Sequence, residues 1–212
     1  MLLLIGGAYG YFKTKTDDGG FSNKREYTKT GQHMKTDLNT YLNGEWLTTL
    51  EEAIGTDKIA EVQWQIGGIN WNNYLNKTVP EVYKLELDPT SINTYPNEEY
   101  INSSLTKIGL MYVSDYLYAA PKEKWTLCGS DISDSHHDYR LAYTEDWLYS
   151  SDYPWTISHY SDYSNFVMCV SDTGNVFNLA NDSRAVRPVF YLESSVVYLG
   201  GNGTRENPYK LG

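Results

Sequence analysis

Cysteine is close to absent from this chain: Cys128 and Cys169 are the two among 212 residues, and they form neither a Cys-x-x-Cys pair nor a zinc pattern. A disulfide scaffold is therefore excluded, and a chain of this length can bury a core that needs no staples. The two thiols read equally well as one disulfide of an oxidising compartment or as two buried, inert side chains. Long apolar runs are missing too. In the opening MLLLIGGAYGYF only residues 2–5 form an apolar block, too short for a signal-peptide core or a membrane-spanning helix. It reads as a buried strand, and no direct membrane insertion of this segment is expected. Either the chain is cytoplasmic or the numbering begins inside a longer, anchored precursor.

Basic charge is the third scarcity, with 17 Lys and Arg against 27 Asp and Glu and a net charge of −10. No basic stripe is available to neutralise phosphates, so nucleic acid is excluded as a partner and anionic membranes are disfavoured. A cationic or uncharged ligand is easier to reconcile. Phenylalanine is scarce as well, at 5 residues, whereas Tyr numbers 20 and Trp 6. Most large side chains thus carry a polar handle, which suits a binding surface or the half-buried positions of a β-rich fold.

The elements follow from periodicity. Leu38, Tyr41, Leu42, Trp46, Leu50 and Ile54 recur at three- and four-residue steps, Thr36 or Asp37 can cap the start, and Gly55 follows the end. Asn43-Gly44 predicts a break, giving two short helices or one bent one. Residues 58–66 and 81–87 read as strands or short helical segments, with Pro80, Pro89 and Pro96 making that stretch irregular. Residues 108–113 predict a buried strand, followed by a helical turn that Ser114 could cap. Residues 121–154 show little periodicity and read as a long surface excursion. NFVMCVSDTGNVFNL predicts a hairpin, with Gly174 suited to positive φ, VRPVFYL the next strand, and SSVVYL a last one. Helix early and hairpins late argue for one α+β domain over residues 1–212.

The ordered series YLNGEW, KIGLMYVSDYLYA, DWLYS, PWTIS, VSDTGNV, VRPVFYL and GNGTRENPYKL resembles an uncharacterised bacterial surface-protein domain, often attached to pilin-like or wall-anchored precursors. It looks like a branch of the C-type-lectin-like fold shared by the variable proteins of diversity-generating retroelements and, more distantly, by formylglycine-generating enzymes. The resemblance spans residues 37–211. It implies a small twisted antiparallel sheet with two helices and long irregular loops, in which the terminal strands, here LLLI and SVVYL, pair. It implies a bacterial cell-surface or extracellular location. It also implies a ligand face on the last strands and their connections, which maps by position to Trp155, His159, Tyr160, Tyr163, Asn165, Asn178, Asn181, Asp182 and Arg184. Rigid aromatics supply contact area at low entropic cost, and Asn and Asp supply adaptable hydrogen bonds. The expected ligand is a protein or glycan, with a pilin-like or wall-associated assembly role as the alternative.

Other candidates carry blander readings. Asp131, Asp134, His136, His137 and Asp138 could hold a metal, but their spacing is not that of an EF-hand and adjacent histidines usually point apart. No cofactor is expected, with calcium left open. Arg187 precedes a core strand and reads as a structural anchor, not as a catalytic group. Neither cysteine lies in a context matching formylglycine-generating chemistry, and no Gly-x-Ser-x-Gly elbow, phosphate loop or His-Glu-x-x-His is present. Carboxylates such as Asp115 and Glu145 could in principle do glycosidase chemistry, but so could any two acids at this level. An enzyme is not expected; a divergent one of the formylglycine-generating type is the second alternative.

Overall fold

Leu38 and Leu42 turn inward from the first helical segment of the computed structural model, while Tyr41, Trp46, Leu50 and Ile54 pack half-buried beside them. The structure describes residues 2–3, 37–65, 67–69, 77–88, 103–121, 146, 148–160, 167–172, 174, 176–179, 185–202, 204 and 206–212. The first rod is continuous: α1 (Asp37–Tyr41), a π-helical turn (Leu42–Trp46) and α2 (Leu47–Ile54). The expected break at Asn43-Gly44 is thus a widened turn, which admits an extra residue without ending the helix. It aims the Asn43 amide at β5 (Ile108–Leu110), where Nδ2 donates to the Ile108 carbonyl at 2.9 Å and Oδ1 accepts the Ile108 N–H at 2.8 Å.

Beyond Gly55 come β2 (Val62–Gln65), β3 (Gly68–Ile69) and α3 (Val79–Leu87). Pro80 lies in the first turn of α3, where a missing N–H leaves no bond unmade, and so it starts a helix instead of breaking one. Thr78 precedes it, its N–H donating to the Glu81 carboxylate at 2.8 Å. Next are β4 (Ser103–Thr106), β5 and α4 (Val113–Tyr118). Ser114 does not cap α4: it lies inside the helix, fully buried, and the Asp115 carboxylate accepts the Tyr112 N–H instead, at 2.8 Å.

The remaining strands are β6 (Trp155–Tyr160), β7 (Val167–Val170), β8 (Val176–Leu179), β9 (Pro188–Tyr191), β10 (Tyr198–Gly200) and β11 (Lys210–Leu211). The hairpin β7–β8 forms as expected, with Gly174 at φ 77° in its turn, a conformation that a Cβ would strain. β9 is a central strand, antiparallel to β5 on one side and to β1 (Leu2–Leu3) on the other. This corrects the expected pairing of the first strand with SVVYL. VFYL is the buried partner, whereas β10 pairs with β11 and leaves Val197, Tyr198 and Leu199 exposed. A second, four-stranded sheet has the order β3-β6-β7-β8, and its β3–β6 pair is parallel, so it is not purely antiparallel. β2 and β4 form a separate antiparallel pair.

Two apolar clusters result. One gathers Trp64, Ile69, Val79, Val82, Met111, Val113, Tyr116, Met168 and Val189; the other gathers Leu38, Leu42, Ile108, Trp155, Cys169 and Phe190. Strands β7 and β9 feed both, because alternate residues of a strand face opposite ways. Gly109 lets β5 pass under Trp64, since a Cβ there would meet the indole ring at 2.7 Å. The architecture is mixed helix and small sheets, an α+β fold.

Candidate functional site

Register places several sequence-selected positions at one end of the four-stranded sheet. His159 on β6 lies opposite Gly68 on β3 and Val167 on β7, and Val167 lies opposite Leu179 on β8. Tyr160 pairs with Ile69, and Asn178 with Met168. The C-terminal ends of β3, β6 and β8 and the N-terminal end of β7 therefore converge. His159 and Tyr160 belong to a strand and not to a connection, because β6 continues alongside β3. Asn178 likewise lies within β8 and not in the connection after it. Tyr163, Asn165, Asn181, Asp182 and Arg184 lie outside the described residues, as do Cys128, Glu145 and the candidate metal group of Asp131, Asp134, His136, His137 and Asp138.

Trp155 is a correction. It stands at the opposite end of β6, 2% exposed, facing Cys169 inside the second cluster. With Ile157 it faces the helix rod, so its large ring is part of the core and is not displayed to a ligand. Between Trp155 and His159 the ladder is irregular: four steps on β6 match two on β7. The Ile157 N–H donates to the Met111 carbonyl at 2.9 Å, away from β7, and the Thr156 hydroxyl donates to the Met168 carbonyl at 2.8 Å. Such bulges redirect the residues that follow them.

Beneath this end is a carboxylate that sequence reasoning missed. Glu86, on α3, is wholly buried. Its Oε1 accepts the Val113 N–H at 2.9 Å and the Ser158 hydroxyl, and its Oε2 accepts the Ser114 N–H at 3.1 Å. It thereby satisfies the first orphan donors of α4. Burial pushes the Glu86 carboxyl up to about 7, with the Asp115 charge adding to the rise and bonds from Ser114 and Ser158 opposing it. Burial also raises Asp115 and Tyr112. The signal was present in the sequence: Val79, Val82 and Glu86 are spaced three and four apart, so a glutamate occupies the inward stripe of α3. Without α3 recognised as a helix, that stripe had no meaning.

No family model, no curated protein and no solved structure matches the chain. The arrangement itself is the basis for a functional reading. Arg187 takes no part in the converging strand ends; its guanidinium donates to the Leu148 carbonyl, fixing the segment before β6 to the start of β9. Asp115 is engaged at the entrance to α4, and Glu86 has no solvent-facing surface. Among the described residues, the sequence-selected positions that register brings to one end of the sheet are His159, Tyr160 and Asn178.

Proposed function

We propose that the chain is a ligand-binding domain of the C-type-lectin-like type, carried on a bacterial cell surface and recognising a protein or glycan in the manner of retroelement variable proteins. The observation that carries this reading is the convergence of the strand ends. β6 hands the chain to residues 161–166 and β8 hands it to residues 180–184, and both departures lie at the same end of one sheet. Those two segments contain Tyr163, Asn165, Asn181, Asp182 and Arg184, the polar and aromatic types that serve recognition. The net charge of −10 favours an uncharged or cationic ligand.

The test is a screen of glycan and protein arrays with the intact chain, followed by the double variant Tyr160→Ala, Tyr163→Ala. Loss of a found ligand with an unchanged melting temperature is the expected result. A large fall in melting temperature with binding intact would make these tyrosines structural. A second reading, an assembly module that packs against its own copies, is favoured by the exposed Val197, Tyr198, Leu199 and Tyr209 on the β10–β11 hairpin. Sedimentation over a range of concentrations separates the two.

A further inference from the structure

We propose that Glu86 is a proton-operated latch: carrying a proton it holds α3, α4 and β6 together more tightly, and on losing that proton the junction loosens. The inference does not depend on the binding reading. It begins from how many elements meet at one residue. The side chain takes bonds from Val113 and Ser114 of α4 and from Ser158 of β6, while the Glu86 carbonyl accepts the Gly67 N–H at 2.7 Å, one residue before β3. There is no slack at the last contact, for a Cβ on Gly67 would lie 2.3 Å from the Leu85 carbonyl oxygen.

A wholly buried carboxylate is ordinarily held by a cation, because the desolvation of an isolated charge is costly. Among the described residues the ion pairs are Lys58–Asp57 and Lys107–Glu51, and neither involves Glu86. Of the groups that bear on it, hydrogen-bond donors from Val113, Ser114 and Ser158 favour its charge, but no cation faces it among the described residues and burial with the Asp115 carboxylate outweighs them. From α4 come Asp115 and the Tyr118 phenol, and from the entrance to α4 the Tyr112 phenol. From β6 comes the Ser158 hydroxyl, and from β3 only backbone. Its own helix carries Glu81, Tyr83 and an exposed Lys84.

An acceptor for the proton is in place. The Ser114 hydroxyl is fully buried beside the carboxylate; it bears on the ionised form as a donor and can turn to accept from the neutral one. A proton taken from solvent onto Oε2 can be donated to Ser114 Oγ, while Oε1 keeps Val113 and Ser158. The neutral form therefore loses no bond that the ionised form has, and it carries no buried charge.

The direction in pH follows. The carboxyl binds its proton more tightly folded, at about 7, than unfolded, at 4.5. The native advantage is complete below the unfolded value and is lost as pH rises through the folded one. That difference corresponds to a change of up to about 300-fold in the unfolding equilibrium.

Urea unfolding of the full chain between about pH 5 and pH 8.5 tests this, alongside Glu86→Gln and the control His159→Gln, since His159 follows Ser158 in the chain and histidine as a residue type ordinarily changes charge between about pH 5 and 8. Wild type and His159→Gln should lose stability as pH rises, with Val113 and Ser114 amide protection falling in step, and Glu86→Gln should be nearly flat. A slope retained in Glu86→Gln, or abolished in His159→Gln, overturns the latch. If Glu86→Gln does not fold, the carbon-13 titration of the wild-type Glu86 carboxyl decides: a midpoint near 7 supports the proposal and one in the ordinary carboxylate range refutes it.

Discussion

Arg187 marks the boundary where the polar run of residues 178–184 gives way to β9, and its guanidinium is spent on the Leu148 carbonyl. Arg187→Ala should lower stability by about 1.5–3 kcal/mol in urea unfolding, the range for a bond from a charged donor, and should leave the affinity of a found ligand within a few-fold. A variant of normal stability would refute the anchoring role. The assignment was legible because Val186, Val189 and Phe190 surround Arg187 with core positions, and a charge there must meet acceptors. Trp155 misled: it was mapped to the ligand face by position from the resemblance, but Trp155, Thr156 and Ser158 are all buried, and only packing across sheets shows that. Glu86 was illegible until its helix was known, because a glutamate among Tyr, Lys and Asp reads as solvated unless its angular position is fixed.

At the scale of elements, the existence of an element was readable from local signals, whereas a distant pairing was not. The rod before Gly55, the hairpin around Gly174 and the strand VFYL were all readable from periodicity and turn residues. The partner of β1 was not, because pairing two segments nearly the whole chain apart leaves no local trace; the apolar character of LLLI fits β9 or β10 equally. The Asn43-Gly44 break was located but not understood. Its value lies in the Asn43 amide, which adds a side-chain rung to the free edge of β5 by bonding both backbone groups of Ile108. Asn43→Ala should cost about 1–3 kcal/mol by leaving that N–H without a partner and the C=O with the Thr106 hydroxyl alone. Gly44→Ala should instead stabilise, by up to about 1 kcal/mol, since a Cβ at Gly44 meets nothing within 4 Å and the residue is helical. Thermal or urea unfolding of the pair checks both signs, and a destabilised Gly44→Ala would mean that the π turn needs glycine for its backbone.

For the whole molecule the question is whether the two apolar clusters are independent. β9 answers it through adjacent residues: Val189 packs in the cluster with Trp64 and Met111, Phe190 in the cluster with Trp155 and Leu42, and one backbone carries both. β7 repeats the arrangement with Met168 and Cys169. The Ile157 N–H bond to the Met111 carbonyl ties the two larger sheets together at the same level. Neither cluster can come apart without withdrawing side chains from the other, so unfolding should be one cooperative transition. Phe190→Ala, in one cluster, should cost about 3–5 kcal/mol, and Met111→Ala, in the other, about 2–5 kcal/mol. Each should shift the entire transition, with near-ultraviolet and far-ultraviolet circular dichroism remaining coincident in urea. If Met111→Ala instead splits the curve and leaves the Trp155 cluster to melt at its original midpoint, the chain contains two folding units and the shared strands do not couple them.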